Sequence, residues 1–87
     1  MKFEEKIITK DKKTYQNMLD YLDEASFDGE FIDGHYHYYL SLDKTAIIKK
    51  SYSELTLYLT EDVPSFIKKD LEEITKNKIE KISVKVN

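Results

Sequence analysis

His35 and His37 stand two residues apart, a spacing that projects both imidazoles from one face of an extended chain, as in strand-borne metal sites. A metal would need a third ligand, and the nearest carboxylate on the same alternation is Asp33. Asp33 precedes Gly34 in a pair that reads as a tight turn, where the carboxylate bonds its own backbone. Two strand histidines and no metal site are therefore expected, and no other cofactor. The same region fails as a calcium loop. With Gly34 as the sixth loop residue, Gly29 falls at the first position and Leu40 at the twelfth, where carboxylates are required. The chain contains no cysteine and no G-x-S-x-G elbow, which leaves nucleophilic hydrolysis without a carrier. Its two glycines, both in Asp-Gly pairs, cannot build a phosphate cradle. A non-enzymatic protein is the expectation.

Charge is distributed unevenly. From position 14 to position 43 there is no Lys or Arg, while Asp20, Asp23, Glu24, Asp28, Glu30, Asp33 and Asp43 all fall in that stretch. It also holds seven of the eleven aromatics, Tyr15, Tyr21, Phe27, Phe31, Tyr36, Tyr38 and Tyr39. Carboxylates steer an encounter with a basic surface, and tyrosine supplies contact area with little side-chain entropy to lose. Asp20 lies three and four residues before Asp23 and Glu24, a like-charge helical cluster costing about a few tenths of a kcal/mol per pair. The last two also sit at the helix end that prefers cations. Lys68 with Glu72, Lys69 with Glu73 and Glu72 with Lys76 show the opposite, a complementary solvated face. Asp20, Asp23, Glu24, Asp28, Glu30 and Asp33, helped by Tyr39, are thus expected to contact a protein with a basic surface.

All fourteen basic residues are Lys, which removes the planar fork that reads guanine edges, and the net charge is -3. Direct nucleic-acid binding is not expected, whereas a nucleic-acid-binding protein is a suitable basic partner. No run approaches the length of a membrane span, and the first residues lack an apolar leader core, so a cytoplasmic protein without membrane association is expected.

The elements that must position these residues follow from periodicity. Residues 3–9 read as a strand whose imperfect alternation suggests a bulge or an edge position. Tyr15, Met18, Leu19 and Leu22 recur at helical spacing over residues 12–24, with Asp11 or Thr14 as N-cap. Asp28-Gly29 and Asp33-Gly34 read as turns. Residues 35–43 alternate, with Tyr36, Tyr38, Leu40 and Leu42 on one face and His35, His37, Tyr39, Ser41 and Asp43 on the other. Residues 54–60 repeat the pattern through Leu55, Leu57 and Leu59, and residues 45–60 form one bent strand or two. Pro64 after Glu61 and Asp62 opens a helix with Phe66, Ile67, Leu71 and Ile74 inward and Asn77 as its stop. The end alternates again, with Ile82, Val84 and Val86 inward.

One domain fits 87 residues. The order strand, helix, meander, helix, strand predicts an α+β two-layer sandwich, an antiparallel or mixed sheet of four to six strands with two helices on one face. It becomes ferredoxin-like if 45–60 is one strand and 30–32 is loop. Leu40, Leu42, Leu55, Leu57, Leu59, Met18, Leu19, Leu22, Phe66, Ile67, Leu71, Ile74, Ile82 and Val84 are expected to share the core. His37, Tyr39 and Tyr58 would then face solvent together on the other side of the sheet, as a second candidate interface or as a Tyr39–Tyr58 cross-strand pair.

In size, acidity and lack of catalytic motifs the chain is similar to small phage-encoded inhibitors, anti-CRISPR proteins among them, and to immunity proteins that block nuclease toxins. This likeness is one of general character across the whole chain. It implies an inhibitor of a nucleic-acid-processing protein. Two other classes compete with it: a self-assembling structural subunit, and a small-ligand or metal-binding regulatory domain using the His35 and His37 face.

Overall fold

The structure is a computed structural model that describes residues 2–76 in full and the backbone of residues 79–85. Its elements are β1 (Phe3–Thr9), α1 (Lys12–Ala25), β2 (Asp28–Ile32), β3 (His35–Tyr39), β4 (Ile47–Ser51), β5 (Thr56–Thr60), α2 (Ser65–Thr75) and β6 (Ile79–Lys85). The strands form one antiparallel sheet in the order β2-β3-β4-β5-β1-β6. Direct pairing puts Ile48 beside Tyr38 and Leu59, and Ile7 beside Leu57, on a single face. Met18, Leu19 and Leu22 of α1 and Ile67 and Leu71 of α2 join those residues in one cluster, so both helices lie on that face. The result is the expected α+β sandwich.

Each element has a local cause. Asp11 caps α1, its carboxylate accepting from the Lys13 N–H at 3.1 Å and from the Thr14 hydroxyl at 2.7 Å. The Asp33-Gly34 turn has φ of 52° and 82° at its two central residues and joins the directly paired Ile32 and His35. That is the two-residue hairpin whose twist suits the flanking strands. The two helices are tied by the Tyr21 hydroxyl, which donates to Asp70 at 2.6 Å. Burial, reinforced by that carboxylate, pushes Tyr21 up to about 12. Lys68 reaches from α2 to Glu5 of β1.

Several expectations need correction. Residues 45–60 hold two strands, and residues 30–32 belong to β2, so the conditions for a ferredoxin-like order are not met. Asp28-Gly29 is the start of β2 rather than a turn. Gly29 is needed for a different reason: a Cβ there would lie 2.2 Å from the Tyr36 hydroxyl oxygen and 2.9 Å from the His37 carbonyl oxygen. β1 has the bulge its alternation suggested, between Phe3 and Glu5, yet it runs inside the sheet between β5 and β6. Pro64 is the residue flanking α2 rather than its first turn, and no side chain caps that end. Asn77 lies outside the described residues.

Two core assignments fail. Leu42 is 83% exposed because β3 ends at Tyr39, after which Ser41 and Asp43 bond the Thr45 and Ala46 N–H groups and turn the chain. Phe66 is 63% exposed because the buried row of α2 is Ile67, Leu71 and Thr75, and Phe66 falls in line with the exposed Asp70 and Glu73. Leu55 and Ile74 pack at the margin, and Ile7, Tyr15, Tyr38, Ala46, Ile48 and Val63 complete the centre. The side chains of Ile82, Val84 and Val86 lie outside the described residues.

Candidate interaction surface

The acidic stretch folds into α1, β2, β3 and the loop after it, and β2 is an edge strand of the sheet. Asp20, Asp23 and Glu24 are exposed on the last turns of α1, where no basic residue offsets the negative helix end. Asp20 accepts from the Gln16 amide at 2.9 Å. Asp23 faces the buried Tyr38 hydroxyl, and burial together with that negative charge pushes the hydroxyl above its ordinary value. Asp23 therefore supports the fold as well as carrying charge.

Asp28 and Glu30 alternate along β2, opposite Tyr39 and His37 of β3. Asp28 accepts from the Gly29 N–H at 2.8 Å, while Glu30 accepts from the Tyr39 hydroxyl. Hydrogen bonding to Glu30, with desolvation, pushes the Tyr39 hydroxyl up. Asp33 is exposed at the hairpin tip. All six carboxylates are thus exposed, as a docking surface would need.

Tyr39 needs correction as a contact residue. Only 4% of it is exposed, and Lys44 lies over its ring with Nζ 5.3 Å from the centroid. Its role is to hold Glu30. The aromatics that do reach solvent here are Phe27 and Phe31, 64% and 73% exposed. Sequence reasoning missed them because residues 27–32 were read around a turn, and no alternation is visible in so short a run. Phe31 stacks edge-on with Tyr36 at 5.2 Å, and Tyr36 with Tyr38 at 5.0 Å. A groove of about 510 Å³ opens beside Phe31, between His35, Tyr36, Lys50 and Tyr52. Lys50 Nζ lies 5.2 Å from the Tyr36 ring and 5.7 Å from that of Tyr52.

The second candidate, the sheet face opposite the helices, is not open as expected. His37 is buried beneath Phe3, their ring centroids 6.0 Å apart, and its Nδ1 lies 2.9 Å from the His35 carbonyl oxygen. Lys49 stands between β3 and β5, with Nζ 4.9 Å from the Phe3 ring and 4.7 Å from that of Tyr58. Tyr39 and Tyr58 are on strands separated by β4 and form no cross-strand pair. His35 is exposed and His37 is not, so the two histidines present no joint face. Among the described residues, no three His, Cys, Asp or Glu side chains gather as a metal would require. Among those residues, too, no helix is long and apolar enough to cross a membrane.

No protein-family model, curated protein or solved structure matches the chain.

Proposed function

We propose that this chain is a non-enzymatic binding protein that docks the β2 end of its sheet, with the last turns of α1, on a basic surface of another protein. The observation that carries this reading is the exposure of Asp20, Glu24, Asp28, Glu30 and Asp33, with Phe27 and Phe31, along the last turns of α1, the β2 strand and its hairpin tip. Carboxylates supply steering and register, and the two phenylalanines supply desolvated contact area. In general character this suits an inhibitor that occupies the basic groove of a nucleic-acid-processing protein. A cytoplasmic protein acting without nucleic-acid contact of its own belongs to the same proposal.

The experiment is affinity capture at two salt concentrations, with wild-type bait and with an Asp20→Lys, Glu24→Lys variant. Attraction between exposed charges is screened beyond about 8 Å at physiological ionic strength, so capture of a basic protein should fall with salt and with charge reversal. Capture indifferent to both would remove the electrostatic basis of the reading.

The side of β2 left open among the described residues favours a second reading, self-association edge to edge. Sedimentation equilibrium separates the two, since only this reading requires a dimer of the pure protein.

A further inference from the structure

Among the described residues β2 pairs only with β3, leaving its other side open. The two-residue hairpin makes Ile32 and His35 a mutually hydrogen-bonded pair, and alternation makes Glu30 with His37 and Asp28 with Tyr39 the next such pairs. The N–H and C=O groups of Gly29 and Phe31 therefore point away from the sheet, with the Gly29 N–H held by the Asp28 carboxylate at 2.8 Å. The Phe27 N–H is already committed, to the Tyr39 carbonyl at 2.9 Å.

The two faces flanking this open edge differ chemically. Asp28 and Glu30 project on the face away from the helices, and Phe31 projects on the helix face, beside the groove above Tyr36 and Lys50. Charge on an edge strand is a common guard against aggregation, but a guarded edge has no use for a phenylalanine that is 73% exposed, as Phe31 is.

We infer that β2 is a template for strand addition, taking an extended partner segment in which lysine or arginine alternates with apolar residues. This rests on the proposed docking to a basic surface and specifies how that docking is made. The added strand takes two backbone bonds from Phe31 and one from the Gly29 carbonyl, sets its basic residues beside Asp28 and Glu30, and lays its apolar residues on Phe31 and into the groove. A second copy of this chain is the poorer occupant. Two β2 edges laid together oppose Asp28 and Glu30 to the same carboxylates, and like charges directly opposite destabilise a strand pair.

The probe is an amidated Lys-Val-Lys-Val-Lys-Val-Lys peptide, with Glu-Val-Glu-Val-Glu-Val-Glu and polylysine as comparisons. Binding of the Lys-Val peptide should slow amide exchange at Phe31 at least tenfold. N-methylation of one alternate set of peptide amides should abolish binding, and methylation of the other set should not. Phe31→Ala should weaken binding several-fold without changing the melting temperature. Strand addition is overturned, with docking to a basic surface intact, if the peptide binds at Asp20 and Glu24 while the Phe31 amide exchanges as before. Failure of both the Lys-Val peptide and polylysine to bind sinks the two together. Prior protection of the Phe31 amide in a sedimenting dimer would assign the edge to a second copy and also overturn the inference.

Discussion

The Tyr36 ring occupies the space that a side chain at Gly29 would fill, with the phenolic carbon 2.6 Å and the hydroxyl oxygen 2.2 Å from an ideal Cβ at that position. Glycine weakens a strand interior, and an aromatic ring on the neighbouring strand restores contact by covering it. This pair joins the edge strand to the Phe31–Tyr36–Tyr38 stack.

Gly29→Ala should therefore destabilise the protein by about 1–3 kcal/mol, as overpacking does, despite the lower entropy of the unfolded alanine chain. In a Tyr36→Ala background the same substitution should cost less without becoming free, because the His37 carbonyl oxygen still lies 2.9 Å from that Cβ. Chemical denaturation of the four proteins of this cycle measures the difference, and equal costs in both backgrounds would show that Tyr36 is not the obstacle.

Core placement makes a contrasting set. Leu57 is fully buried at the centre of the sheet, and Leu57→Ala should cost about 2–5 kcal/mol. Leu42→Ala and Phe66→Ala should each stay within about 0.5 kcal/mol, because both side chains are largely exposed. An unchanged denaturation midpoint for Leu57→Ala would mean that the phase of β5 is wrong.

Asp23 and Tyr38 should behave as a coupled pair. Tyr38→Phe and Asp23→Ala are each expected to cost about 1 kcal/mol, and together less than their sum by about 0.5 kcal/mol or more. Glu24→Ala should cost less than Asp23→Ala, since it removes charge without touching the core. Strict additivity in a double-mutant cycle would leave Asp23 as a surface charge only.

His37 predicts a pH dependence. Burial lowers its folded-state pKa below the ordinary 6.5, nearby Lys49 and His35 lower it further, and the His35 carbonyl and Asp33 oppose the shift. Between the lowered folded value and 6.5 the unfolded chain binds more protons than the folded one, so stability rises with pH there. His37 thus favours folding fully above 6.5 and progressively less as pH falls toward the folded value. Urea denaturation from pH 7.5 downward should show a decline that starts just below 6.5 in the wild type and is absent in His37→Gln. The same early decline in the variant would place its origin elsewhere.

What was readable in the sequence is what short-range physics controls. β1 and α1, with the Asp11 cap, follow from apolar spacing and from one side chain bonding its own helix start. The Asp33-Gly34 turn follows because few residue types accept positive φ at two successive positions. The acidic stretch and its separation from lysine are likewise properties of order along the chain. Tertiary structure alone decided which of these residues meet. That β2 is an edge strand, that Phe31 on it and Phe27 just before it stay exposed, and that Tyr39 is buried beneath Lys44 depend on strand order. Strand order is set by packing between residues far apart in the chain. Alternation in β3 marks two faces but says nothing of what covers each, and here Phe3 and Lys49, from β1 and β4, closed the face that alternation left open. Periodicity assigns a side chain to a face, and only the neighbours brought to that face determine whether water reaches it.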